Sequence, residues 1–220
     1  MITLADIKQN ETISRFMALS NVFLGAIGAI QHNLAHADLV SVRSRALLTA
    51  LGYPERDAEL AAIAGYLHDI GNVVNRYGHG MAGALIVFDI LLEMGMNYDE
   101  IAVIMGAIGS HEEQAGGSPV NRIAAAVILA DKSDVHQTRV RKTDAATFTT
   151  RDRVNYAAQA SELSVDRDRM AINLKLAIDN ELCSVMDYFE IFLTKMVMCK
   201  RAAEMLSCRF ELTINEAKLL

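Results

Sequence analysis

The chain has 220 residues, 52% of them hydrophobic, enough to bury a core in one domain with an appendage or in two small domains. Its net charge of -6 excludes an overall attraction to a nucleic-acid backbone or an anionic membrane, so neither partner is expected. Cys183, Cys199 and Cys208 are odd in number and form no CxxC pair, which excludes a secreted disulfide framework and leads us to expect a cytoplasmic protein.

Polar and acidic residues interrupt the first eight positions before any signal-peptide apolar region forms, and the apolar stretch from Val22 to Ile30 is too short to span a bilayer. Prolines occur only at Pro54 and Pro119, and the abundance of Ala, Leu, Ile and Met predicts helices at about 12–27, 31–51, 56–70, 79–94, 98–110 and 119–136. Acidic residues after Pro54 complement the dipole of the third of these helices. Residues 142–153 are polar and Thr-rich and read as a linker or exposed loop. Apolar and polar residues then alternate from Glu162 to Ile178, around a hairpin turn at Asp166 to Asp168, which is the period of half-buried strands. A helical period returns at 181–206 and alternation at 209–214. The expected fold class is therefore mainly α, a helical domain at 1–140 followed by a small α+β unit at 141–220 with short antiparallel strands and one long helix.

All six histidines lie between His32 and His136, which points to a site in the helical domain. In Gly65-Tyr66-Leu67-His68-Asp69-Ile70-Gly71 an imidazole and a carboxylate end an apolar helix, where an unpaired buried carboxylate would call for a cation. A hydrogen-bonded His-Asp pair at a helix C-terminus is the alternative reading of that dipeptide. His36 shares a helix face with Val40, Arg43 and Leu47, and Asp131 closes the otherwise apolar run Ala-Ala-Ala-Val-Ile-Leu-Ala.

A histidine, then His-Asp, then a distant aspartate resembles the HD superfamily of metal-dependent phosphohydrolases, whose fold is a helical bundle. The resemblance implies that His36, His68, Asp69 and Asp131 hold one metal ion. His79, in Gly-His-Gly-Met-Ala-Gly, and His111, in Gly-Ser-His-Glu-Glu, match the positions that hold a second ion in some members, with the aspartate of the His-Asp pair bridging the two. The likeness covers roughly residues 30–140. His32, one turn before His36, has no place in the pattern and reads as a packing or outer-shell residue, and His136 as solvent-facing. Asp38, Asp134, Glu112 and Glu113 read as solvated charges, Glu112 also as an outer partner of His111.

A divalent transition metal suits histidines with carboxylates: one or two ions, Fe or Mn first, with Ni, Co or Zn as alternatives; the lack of thiolate ligands argues against structural zinc. Two such ions about 3.5–4 Å apart acidify water and offset phosphoryl charge, which fits a chain with no GxSxG elbow and no phosphate-binding glycine loop. The expected catalytic residues are Asp69 and His68, with Lys132 for substrate phosphate; Arg76, Arg139, Arg141 and Lys142 are further cationic candidates. The expected partner is a small phosphorylated substrate, and the C-terminal unit could shape the pocket or form a homodimer. His111 to Pro119 is similar to the loop of HD-GYP cyclic-dinucleotide phosphodiesterases, but Ser110 and Ser118 depart from it, as does Asn72 after His-Asp-Ile-Gly. The His79 to Ala84 segment looks closer to small bacterial HD hydrolases of dinucleoside tetraphosphates. A metal-binding sensor without turnover, a di-iron HD-type oxygenase and a helical interaction module are the rival readings.

Overall fold

The computed structural model describes residues 1–113 and 117–220. The chain runs through α1 (Leu4–Gln9), α2 (Glu11–Ala26), α3 (Leu34–Leu51), α4 (Glu55–Leu67), α5 (His79–Glu93), α6 (Tyr98–Gly109) and α7 (Arg122–Lys132). It continues with α8 (Thr150–Ala157), β1 (Ala158–Asp166), β2 (Ala171–Ile178), α9 (Val185–Met205), β3 (Arg209–Ile214) and β4 (Ala217–Lys218). The mainly-α expectation holds, with a four-stranded sheet and one long helix at the C-terminal end. Among the described residues, no helix is long and apolar enough to cross a membrane.

Side-chain caps set where these helices begin. Asn10, Asn33, Asn97 and Asn121 accept from amides in the first turns of α2, α3, α6 and α7, filling donors that have no partner inside the helix. Helix α7 is the hub, packing on α3, α4, α6 and α9. Ile123 to Ala130 is buried on every side, so its sequence shows no amphipathic stripe. One apolar cluster runs from Ile7 through α7 to Ile214, so the C-terminal elements share the core of the helical ones.

Three expectations need correction. Helix α1 was not anticipated. Of residues 142–153, read as a linker or exposed loop, the last four open α8, which a capping box between Thr149 and Asp152 nucleates despite a polar sequence. The strands are not all antiparallel: β1–β2 and β3–β4 are, but β2 pairs with β3 in parallel, Ala171 opposite Arg209 through Leu176 opposite Ile214. A parallel neighbour needs a crossover, and α9 is that crossover. Ile172, Leu174, Leu176 and Ile178 put the buried face of β2 inward, as the alternation predicts.

Gly71 holds the site's loop against α5. A Cβ there would lie 2.0 Å from the His79 carbonyl oxygen and 2.4 Å from the Gly83 amide nitrogen, both backbone atoms. Gly71→Ala is therefore expected to destabilise the fold by about 3 kcal/mol, read as a lowered denaturant midpoint. An unchanged midpoint would contradict this packing.

Candidate metal centre

The six residues proposed as ligands occupy helix ends that converge on one point. His36 lies in the first turn of α3, its amide capped by Asn33 at 3.1 Å. His68 caps α4 and Asp69 follows it, entering a short 3-10 turn over Ile70–Val73. His79 opens α5 after Gly78, whose φ of 73° forms the sharp entry. His111 follows α6, and Asp131 stands in the last turn of α7. Five of the six are at most 4% exposed, and Asp131 borders the cavity above them.

The Nδ1 atoms of His68, His79 and His111 face carbonyl oxygens, which only accept: Gly65 at 2.8 Å, Arg76 at 2.8 Å and Ile108 at 2.6 Å. Their Nδ1–H groups therefore donate outward, and in the neutral ring the Nε2 lone pair points inward, the tautomer a metal ligand needs. His36 Nδ1 lies between Asp134 Oδ2 at 2.6 Å, an acceptor that favours the same tautomer, and Arg139 Nη1 at 2.8 Å. Two such lone pairs at close range repel each other. Yet His36 and His68 bring their Nε2 atoms to 3.3 Å, and His79 and His111 theirs to 3.0 Å.

Asp69 sits between the two pairs. Its Oδ2 lies 3.3 Å from His68 Nε2 and 3.5 Å from His36 Nε2, while Oδ1 lies 3.3 Å from His79 Nε2 and 3.9 Å from His111 Nε2. Oδ1 accepts from Asn72 at 2.8 Å, but Oδ2 is buried without a hydrogen-bond partner among the described residues. Asp131 Oδ1 completes the first group, 3.5 Å from His36 Nε2 and 3.7 Å from His68 Nε2. An orphaned buried carboxylate oxygen beside converging lone pairs fits a cation, and His36–His68–Asp69, His68–His111–Asp131 and Asp69–His79–His111 each have the spacing to hold one.

The electrostatics of these groups point the same way. Burial lowers the affinity of His68 for a proton, but the nearby carboxylates of Asp69 and Asp131 outweigh it and push its pKa to about 10. Burial and Arg139 work against a proton on His36, and the nearby carboxylates of Asp131, Asp134 and Asp69 still raise it. Asp69 and Asp131 are held well below the usual carboxylate range, against burial, by His68 and Lys132 respectively. His111, buried and near His68 and His79, is lowered instead. His68 thus holds a proton that a metal bound at its ring nitrogen must expel. Calorimetric titration with a divalent metal near neutral pH, in buffers of different ionisation enthalpy, should show release of about one proton per chain or more. The sign follows from the raised pKa of His68: apparent affinity climbs with pH until about 10. Binding without proton release would contradict the assignment.

A second layer holds these groups, and part of it was misread from the sequence. Asp134 is not a solvated charge. It is buried, accepts from His36 and pairs with Arg139 at 2.6 Å, and its carboxyl is held low by those partners against burial. Glu112 is also buried and caps the start of α5, accepting from the Gly78 and Gly80 amides at 3.0 and 3.2 Å, so it supports His79 rather than His111. Lys132 is buried and engaged, 2.7 Å from Asp131 Oδ2 and 3.2 Å from Glu113. His32 faces inward, Nδ1 donating to Ile30 oxygen and Nε2 at 4.0 Å from Asp69 Oδ2. His136 instead meets Thr138 and Gln159. Asp38 is half exposed against Lys8, as a solvated pair.

Above the ligands opens a cavity of about 300 Å³. Of the cationic candidates, Arg76, Lys132 and Arg139 line it. Arg141 and Lys142 do not: Arg141 is spent on the carbonyls of Ala29 and Asn21, and Lys142 pairs with Asp152 at 2.7 Å. Sequence reasoning missed Arg151, Asn155 and Lys195, which α8 and α9 bring to the same wall. A lone charge in the largely apolar stretch from Ile191 to Met198 was the signal for Lys195. Part of the loop compared with HD-GYP enzymes, Gln114 to Gly116, lies outside the described residues.

Residues 33–137 match the sequence model of the HD domain family, a stretch that contains all six proposed ligands. An uncharacterized protein of Methanocaldococcus jannaschii, MJ1020, is 27% identical over 155 residues, covering 60% of this chain and 59% of that protein. The chain thus spans less than two thirds of the relative it matches, and that relative's name attaches no activity to it.

Proposed function

From the membership of this chain in the HD-domain superfamily of metal-dependent hydrolases, we propose that it cleaves a phosphate ester or anhydride of a nucleotide or other small phosphorylated metabolite. The observation that carries this reading is Asp69, whose two oxygens face two histidine pairs inside one cationic cavity. His36, His68, Asp69 and Asp131 would hold one divalent transition metal ion, and Asp69, His79 and His111 a second; bound there, such ions supply Lewis acidity toward water and a phosphoryl oxygen. Fe and Mn suit these nitrogen and oxygen donors, with Ni, Co and Zn also compatible.

The protein's own groups do the positioning. Lys132 grips Asp131 Oδ2 and leaves Oδ1 turned toward His36 and His68. Carbonyls and Asp134 fix each ring so that Nε2 faces the centre, and Glu112 braces the entry to α5 beneath His79. Arg76 leaves a guanidinium on the cavity wall, its one side-chain hydrogen bond among the described residues a long 3.4 Å contact to Asn72, so its charge is available to a phosphate oxygen. Three buried, unpaired thiols fit a cytoplasmic enzyme.

The test is hydrolysis of bis(p-nitrophenyl) phosphate and a nucleotide panel before and after chelation. Activity should vanish with chelator and return with Mn or Fe. Stoichiometric metal without hydrolysis of any phosphoester would overturn the reading in favour of a sensor, and oxygen consumption with an organic substrate would favour the oxygenase.

A further inference from the structure

The cavity wall contributed by α8 and α9 lies outside the matched HD segment, and its charges are not accounted for by the ligands. Among the described residues five lysines and arginines line the cavity, Arg76, Lys132, Arg139, Arg151 and Lys195. Arg139 is neutralised by Asp134 and Lys132 by Asp131. Among the described residues the one carboxylate paired with Lys195 is Glu113, whose Oε1 at 3.7 Å is shared with Lys132 at 3.2 Å, and its ammonium also lies over the Phe192 ring at 4.6 Å. Arg151 has no carboxylate partner among the described residues; the adjacent Asp152 is taken by Lys142. Its helix neighbour one turn on, Asn155, lines the same wall and ties its amide to the Arg151 carbonyl at 2.9 Å.

We propose that Arg151 and Lys195 form an anion subsite at the far side of the cavity, so that the substrate carries a second negatively charged group besides the phosphoryl group cleaved at the metal ligands. This inference rests on the phosphohydrolase reading. It selects within it a molecule with two phosphate-type groups, such as a nucleoside di- or polyphosphate or a doubly phosphorylated metabolite.

Three observations converge. Position comes first: Lys132 and Glu113 stand between Lys195 and Asp131, so a phosphoryl group bound at the ligands alone leaves the Lys195 charge unused. Charge balance is the second. Burial of Lys195, with the like charges of Lys132 and Arg151 nearby, pulls its pKa down to about 8 although Glu113 opposes the shift, and an anion between Arg151 and Lys195 relieves that repulsion. The third is the shape of α8, a helix whose apolar residues Val154 and Ala157 are fully buried while Arg151 and Asn155, four apart, turn to the cavity. A guanidinium beside an ammonium in a walled cavity is a phosphate-type receptor.

The test uses the full-length, Mn-loaded protein and a matched pair of non-hydrolysable probes, propylphosphonate and propane-1,3-bisphosphonate, which differ by one anionic group. Wild type should bind the bisphosphonate at least tenfold more tightly by calorimetry. Arg151→Gln with Lys195→Met should erase that preference and change propylphosphonate affinity less than twofold, whereas Arg151→Lys and Lys195→Arg should retain it, which separates lost charge from lost fold. Equal wild-type affinities, or a preference that survives in the Gln/Met variant, would overturn the subsite. Because binding is read without turnover, a protein that prefers the bisphosphonate but hydrolyses nothing keeps the subsite and sinks the hydrolase reading. One that hydrolyses phosphoesters but binds both probes alike does the opposite.

Discussion

Asp69→Ala should lose metal and turnover together, with kcat/KM falling by about a thousandfold or more, equivalent to about 4 kcal/mol of transition-state stabilisation. The size follows from position. Among the described residues no other side chain places one oxygen within 3.5 Å of the His36 and His68 nitrogens and the other within 3.9 Å of those of His79 and His111, so its removal opens both groups at once. Thermal melts supply a second readout. Metal at a thousand times its Kd should stabilise the wild type by about 4 kcal/mol and leave Asp69→Ala unmoved. Asp69→Asn keeps the Asn72 contact and the packing but not the charge, and should fail in the same way. An active, metal-replete variant would refute the site.

Asp134→Ala acts through a different link. Asp134 touches none of the proposed metal positions; it receives the His36 Nδ1 proton and neutralises Arg139, both buried. Without it His36 can turn or change tautomer, and metal affinity should fall by about 10- to 100-fold. Arg139 meanwhile keeps its charge with no counter-ion, which should cost about 3–5 kcal/mol of stability. Asp134→Asn separates the two effects, since the amide oxygen still accepts from His36 and Arg139. It should restore most of the metal affinity while much of the stability loss remains, because Arg139 still lacks a counter-ion, measured by metal titration alongside denaturant unfolding. Equal metal affinity in all three proteins would show Asp134 to be a packing residue only.

The contrast between Asp131 and Asp134 shows what was readable in the sequence. Asp131 ends an apolar helix, and a carboxylate at that point is conspicuous against seven apolar neighbours. Asp134 lies three residues on among polar and charged residues, where nothing local distinguishes a buried acid from a solvated one; only the return of Arg139 through the following turn buries it. His68-Asp69, His79 and His111 were conspicuous for the same reason as Asp131, being titratable residues at the ends of apolar helices. Arg151 and Lys195 were not, because their meeting depends on how α8 and α9 pack on the helical domain, a contact between distant parts of the chain. The parallel pairing of β2 with β3 is likewise long-range: alternation identifies a strand and its buried face but carries no direction for its neighbour. Helix α8 is the instructive exception, since Thr149 and Asp152 spell its start and only its polarity argued for a loop.

The most direct measurement is metal content per chain, by elemental analysis of protein stripped with chelator, reloaded with Mn or Fe and freed of excess. The centre described here predicts about two equivalents in the wild type. Loading that stays at zero in the wild type would contradict it.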